Sequence, residues 1–167
     1  LMIFIYIGLR FRNWQFGLAG IIALAHDALI AIGAFALFHG ILPFNMEVDQ
    51  SFIAAILTVI GYSINATVVI FDRVREYKAL YPKRLLQEQI NGAINSTLSR
   101  TFNSSGSTLI VLLIMFIFGG EVIRGFVFAL LMGVAAGTFS SVCISGPIVF
   151  DLLKRKEEKA AAKIEKK

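Results

Sequence analysis

The stretch SFIAAILTVIGYSINATVVIFDRVRE, residues 51–76, decides how this chain is read. From Ser51 to Phe71 no residue is charged. At about 1.5 Å per residue, a helix of that length reaches ~30 Å, the thickness of a bilayer's hydrocarbon core. The run acquires polar groups before it breaks into charge at Asp72-Arg73-Val74-Arg75-Glu76. Thr58, Gly61, Asn65 and Asp72 fall at i, i+3, i+7 and i+14, a thin polar stripe on an aliphatic helix. The spacing predicts a membrane helix whose polar stripe faces the protein interior.

Composition extends this reading to the whole chain. Of 167 residues, 57% are hydrophobic and 16% charged, and mean hydropathy is +0.76, beyond what a soluble core of this size needs. Apolar blocks suited to spanning fall at Phe16–Phe38, Ser51–Phe71, about Thr101–Phe118 and Val122–Phe150, the last long enough to tilt or protrude. Blocks of this length, rather than short alternating strands, predict an all-α, polytopic transmembrane bundle. Leu1–Leu9 reads as the remnant of a further span. A signal peptide fits poorly there, since no basic region precedes it and no small-residue cleavage site follows.

The net charge of +5 and the pI near 9.6 invite a nucleic-acid reading, but the basic residues are loop and tail residues. If alternate loops share a side, one side takes every Lys and Arg except Arg100 and Arg124, and the bias of basic residues toward the cytoplasm fixes orientation. The loop with Arg73, Arg75, Lys78, Lys83 and Arg84 is then cytoplasmic, as is the tail at 153–167. The connections Gly40–Gln50 and Gly119-Gly120 face outward. Pro82 and the apolar spacing of Leu86, Ile90, Ala93 or Ile94 and Leu98 predict an amphipathic helix over 83–99, either lying on the membrane surface or packed under the bundle. Cys143, the sole cysteine, permits no disulfide within the chain.

Ionisable groups within spans are costly, about 2.5–3.5 kcal/mol at the bilayer centre, and are functional candidates by default. Asp27, beside His26, lies ~16 Å into its span. It reads either as a proton or cation site or as a hydrogen-bonded or protonated residue joining two helices. At Asp72 and Arg73 an interfacial ion pair ending the span is the simpler reading. Arg100, Asn103, Ser104, Ser107 and Thr108 recur at i, i+3, i+4, i+7 and i+8, a stronger stripe than that of the preceding span. Counted inward from Gly119 and from Gln50, both on the outer side, Arg100 lies ~28 Å and Asn65 and Ala66 ~23–24 Å deep, so the two segments could meet at similar depth. Arg100 either snorkels to the interface or serves a wet, interior-facing row. Gly125, Ala129, Gly133, Gly137, Ser141 and Ser145 form an unbroken four-residue repeat of small side chains, a close-packing seam. No nucleotide loop, zinc-ligand spacing or activated nucleophile appears, so no enzyme is expected.

Four strings then carry a resemblance: His26-Asp27-Ala28-Leu29-Ile30, Gly61 to Glu76, Leu98-Ser99-Arg100-Thr101, and Gly119-Gly120-Glu121-Val122-Ile123-Arg124-Gly125-Phe126. In order and spacing, over residues 1–152, the chain resembles the membrane region of SecF. These are SecD/SecF-type accessory subunits of bacterial protein export within the resistance-nodulation-division superfamily. The resemblance marks Gly61, Asp72, Arg73, Gly119, Gly120, Glu121 and Arg124 as motif and interface positions. It implies half of a twelve-span unit completed by SecD, with a first span and an outer domain ahead of Leu1. The implied setting is the bacterial inner membrane and its lipid, with the C-terminus cytoplasmic. The implied partners are a SecYEG-type translocon and a preprotein, with a proton or sodium gradient in place of any cofactor.

The family's ion relay joins an Asp directly after the motif's Asn, an Arg on the next span and an Asp of the SecD half. Arg100 matches the Arg and Asn65 the Asn, but Ala66 stands at the Asp position. Alanine neither binds a proton nor pairs with Arg100. The substitution was introduced, or Asp27 or the SecD half supplies the carboxylate, or coupling is altered or absent. The expected ion path is lined by Arg100, Asn65 and Asp27. Two other readings remain beside it: a superfamily exporter of lipids or small hydrophobic solutes, and a structural translocase scaffold without ion coupling of its own.

Overall fold

The computed structural model describes residues 2–11, 13–44 and 46–165. Leu1 of the expected remnant, and Arg12, Lys166 and Lys167 of the expected basic segments, lie outside the described residues. Six helices follow in order: α1 (Met2–Phe11), α2 (Trp14–Phe38), α3 (Gln50–Leu80), α4 (Leu86–Phe118), α5 (Glu121–Cys143) and α6 (Ser145–Glu165). Four segments among the described residues are long and apolar enough to cross a membrane: α2, α3, α4, and α5 continued into α6. The chain is an all-helical, multi-pass membrane bundle.

Two helices differ from the boundaries expected of them. The amphipathic segment expected over 83–99 is the first half of α4, which continues unbroken from Leu86 to Phe118. Ile90 and Ala93 on its apolar face are buried in a cluster with Val149 and Leu153 of α6, so this segment packs under the bundle. The expected span Val122–Phe150 is interrupted at Ile144. Proline at 147 lacks the N–H that would bond the Cys143 carbonyl, and its ring crowds the preceding turn. Around that turn the hydroxyls of Thr138, Ser141 and Ser145 donate to the Val134, Thr138 and Ser141 carbonyls, a pattern that bends helices.

In lipid no hydrophobic drive pulls one apolar helix onto another, so close backbone approach has to hold the bundle together. α5 supplies it. Gly125, Ala129, Gly133, Gly137 and Ser141 are all buried along one stripe of this helix. A Cβ on Gly133 would collide with Val59 Cγ2 of α3, and one on Gly137 would lie 3.1 Å from Ser63 Cβ. α3 therefore seats against α5 at a distance that only small residues allow. Around this seam lie two apolar clusters. One gathers Phe11, Phe16, Ile70, Phe71, Val74 and Val149 near the basic end of the bundle. The other gathers Phe35, Phe52, Val59, Leu112 and Phe128 toward the opposite end. Between them runs a belt of buried polar side chains: Asp27, Ser63, Thr67, Ser105, Ser140 and Ser141. Outside, Leu29, Leu37, Leu57, Ile110, Ile114 and Ile117 are exposed, the surface expected of a body whose solvent is hydrocarbon.

The turn between α4 and α5 needs its glycine at 119. The Gly119 amide donates to the Met115 carbonyl at 2.8 Å, closing α4, and a Cβ there would strike that same oxygen and approach Ile123 Cδ1. Gly120 precedes α5 in extended geometry and would tolerate a side chain.

Candidate functional site

Two polar faces meet where α3 and α4 run side by side. A small cavity of about 60 Å³ between them is lined by Tyr62, Asn65 and Ala66 of α3 and by Arg100, Ser104 and Ser105 of α4, with Val69 and Thr101 at its edges. Tyr62 Oη donates to Ser105 Oγ at 3.2 Å, pinning the two helices just inside the cavity. Asn65, Arg100, Asn103 and Ser104 are exposed on the flank of the bundle. The interior-facing orientation expected for the α3 stripe is therefore corrected, and of the two readings of the Arg100 row the interior-facing one does not hold within this chain. The small-residue seam of α5 occupies the interior and receives Val59 and Ser63 of α3, whose buried face continues through Thr67 and Ile70, so the Thr58–Gly61–Asn65 face turns outward. Gly61 lies on that flank with open space around it.

Arg100 borders a second cavity as well. About 450 Å³ in volume, it shares Val69 and Arg100 with the first and continues toward the basic end past Asp72, Arg73, Glu76 and Ser96. Arg100 makes no ion pair or hydrogen bond with its side chain among the described residues, whereas Arg73 is fully engaged. Arg73 donates to Glu76 Oε2 at 2.7 Å and to Ser96 Oγ at 2.9 Å, and its guanidinium lies over the Tyr77 ring at 5.0 Å. Asp72 does not pair with its neighbour Arg73, as the simpler reading had it. It accepts from Arg10 of α1 at 3.1 Å, since successive positions on a helix point about 100° apart while α1 lies beside the Asp72 face.

Asp27 stands elsewhere. It is fully buried in α2, beneath the α5 seam, with Gly137 opposite its Oδ2. Ser63 Oγ donates to Asp27 Oδ2, and His26 Nδ1 lies 3.1 Å from Asp27 Oδ1. The structure thus brings Asn65, Ala66 and Arg100 to one cavity and places Asp27 on the other side of α3. Ser63, its partner, was missed in the sequence. The signal was the recurrence of Ser63 and Thr67 four apart on the face opposite Asn65. Thr67 Oγ1, one turn further along, is buried without a hydrogen-bond partner.

At the far end of the bundle, Glu121 lines a cavity of about 340 Å³ together with Glu47, Asp49 and Ser51. Arg124, one turn along from Glu121, has a buried Nε without a partner. Among the described residues no three of His, Cys, Asp and Glu converge as metal ligands.

An arginine and an asparagine held on a lipid-facing flank are stable only if protein or water covers them. The chemistry available is that of a fixed guanidinium charge facing a cavity that a carboxylate on an adjoining surface could enter.

Residues 1–155 match the family described as protein export membrane protein SecD/SecF, C-terminal. Over 155 residues the chain is 53% identical to the protein translocase subunit SecF of Rhodothermus marinus, covering 93% of this chain and 50% of that protein. It is 49% identical over 148 residues to the SecF of Cereibacter sphaeroides, covering 89% and 44%. The chain thus spans about half the length of the curated relatives it matches. The crystal structure of SecDF in the super-membrane-facing form superposes with a TM-score of 0.86 at 38% identity, covering 97% of this chain and 21% of that one. That of SecDF, a translocon-associated membrane protein from Thermus thermophilus, superposes with a TM-score of 0.79 at 38% identity, covering 90% and 20%. The chain belongs to the SecD/SecF C-terminal family of protein-export membrane proteins.

Proposed function

We propose that this chain is the membrane region of a non-enzymatic accessory subunit of the Sec protein translocase, and that it helps ion-gradient-driven export of preproteins across the bacterial inner membrane. The observation that carries the reading is the exposed α3–α4 flank. Asn65 and Arg100 border a cavity there and Arg100 has no counter-charge among the described residues, which suits a surface completed by a second half. A SecD half, fused or separate, would cover this flank and bring a carboxylate to Arg100. The basic end, with α6 and the tail at 153–167, faces the cytoplasm, where the bias of Lys and Arg puts it. A SecYEG-type translocon is the assembly partner, and a proton or sodium gradient is the energy source.

The second cavity bordered by Arg100 leads toward the cytoplasm past Asp72 and Glu76 and offers water a route to the guanidinium. Asp27 and Ser63 form a separate polar lock between α2 and α3 rather than part of the Arg100 path. A second reading is favoured by one residue. Ala66 leaves the α3 side of the cavity without a titratable group, as in a scaffold lacking ion coupling of its own.

The test is preprotein export by the full complex in vesicles, with and without an imposed proton gradient, for the parent chain and for Arg100→Met. The gradient-dependent increment is expected to disappear in Arg100→Met. An increment of unchanged size would refute a coupling role for Arg100 and support the scaffold.

A further inference from the structure

A cleft of about 330 Å³ opens at the basic end of the bundle, where the start of α2 meets α3 and α6. Its walls carry Arg75, Lys78 and Lys156 against the single carboxylate of Glu157, and Phe16 and Leu153 lie at its base. Those two side chains are otherwise buried, 2% and 4% exposed, so the base is apolar. The cations are unequally engaged. Lys78 Nζ pairs with Glu157 Oε1 at 3.0 Å, and Lys156 Nζ donates to the neutral Asn13 Oδ1 at 2.7 Å. Arg75 has no hydrogen-bond or ion-pair partner among the described residues. Two positive charges therefore remain uncompensated around a cavity with an apolar base.

The depth of the cleft fits this chemistry. Arg75 stands one turn beyond Phe71, where the uncharged run of α3 ends, and Trp14 beside the cleft is 57% exposed, an indole placed as interfacial anchors are. Basic pockets between transmembrane helices at the membrane surface are suited to anionic headgroups, and a guanidinium grips two phosphate oxygens at once. The corresponding cavity at the other end is bordered by Glu47, Asp49 and Glu121 and would repel the same ligand.

We propose that this cleft is a binding site for an anionic phospholipid, its phosphate held by Arg75 and Lys156 and its glycerol region against Phe16 and Leu153. The site shares no residue with the Arg100 cavities and stands independently of the export reading. Glu157 opposes the lipid twice over, by its own charge and by occupying Lys78.

The experiment uses the full-length protein in its complex, delipidated in neutral detergent, with binding read by native mass spectrometry. The probes are phosphatidylglycerol, phosphatidylethanolamine and inorganic phosphate. Phosphatidylglycerol is expected to bind in preference to phosphatidylethanolamine. Arg75→Gln should weaken it about fivefold, the equivalent of ~1 kcal/mol per basic residue at a membrane surface. Glu157→Gln should tighten it by a similar factor. Lys154→Gln combined with Lys159→Gln, on α6 outside the cleft, should leave it within about twofold. Arg75 is exposed and unpartnered, so its substitution leaves the fold intact. Equal binding of the two lipids, or no effect of Arg75→Gln and Glu157→Gln, would overturn the site. So would an equal loss in the Lys154/Lys159 variant, which would mean general attraction to charge. Displacement of the lipid by millimolar inorganic phosphate would overturn the lipid assignment in favour of a small-anion site.

Discussion

Gly133→Ala is the substitution most informative about how this bundle is held. The added Cβ would collide with Val59 Cγ2 while also lying 2.6 Å from Cγ1 and 2.9 Å from Cβ of the same residue. Val59 is wholly buried on a stiff, β-branched side chain and cannot swing away, so α3 and α5 must part. Overpacking of this kind costs about 1–3 kcal/mol, and because lipid supplies no hydrophobic drive to restore contact, the upper half of that range is expected. Val59→Ala alone removes two buried methyl groups and should cost about 1–2 kcal/mol. Together the two changes should destabilise less than their sum, with a coupling of about 1–2 kcal/mol of compensating sign. Gly106→Ala serves as the contrast, since no atom lies within 4 Å of its would-be Cβ; it should be neutral or stabilising by up to about 1 kcal/mol. The assay is reversible denaturation of the purified complex in mixed micelles. Gly133→Ala within about 0.5 kcal/mol of the parent, or a double variant no better than the sum of its parts, would refute the seam argument.

Other substitutions test other parts of the account. Ser63→Ala leaves Asp27 Oδ2 without the hydroxyl that serves it in a dry interior, and should cost about 1–3 kcal/mol in the same assay; a neutral result would mean that Asp27 is solvated. Asp72→Asn breaks the Arg10 ion pair, whose side chains are 43% and 39% exposed, so less than about 1 kcal/mol should be lost, and less still at high salt. Gly119→Ala places a methyl group on the Met115 carbonyl and should destabilise the α4–α5 hairpin far more than Gly120→Ala, which meets open space.

Much of this architecture was legible in the chain because lipid imposes a length. Phe16–Phe38 and Ser51–Phe71 sit inside α2 and α3, and the four-residue repeat from Gly125 onward is the packing stripe of α5. Counting rise per residue put Asn65, Ala66 and Arg100 at similar depth, and they line one cavity. What periodicity withholds is direction. The Asn65 stripe is a real face of α3, but α3 has two polar faces, and the choice between them is made by Gly133 and Gly137 on another helix. For the same reason Asp27 could be placed at mid-span but not given its partner Ser63. The break at Ile144 escaped notice because hydropathy is continuous across it; Pro147 was the signal. Asp72 was paired with the charge adjacent in sequence, whereas helix geometry hands it to Arg10.

On the reading proposed above, the α3–α4 cavity is an ion-coupling site whose α3 side carries Ala66 where a carboxylate would stand. The most direct measurement is the gradient-dependent increment of preprotein export by the full complex carrying Ala66→Asp. A larger increment than in the parent is expected, and its loss when Arg100→Met is added. An increment unchanged by Ala66→Asp would contradict the claim and leave the flank as a packing surface alone.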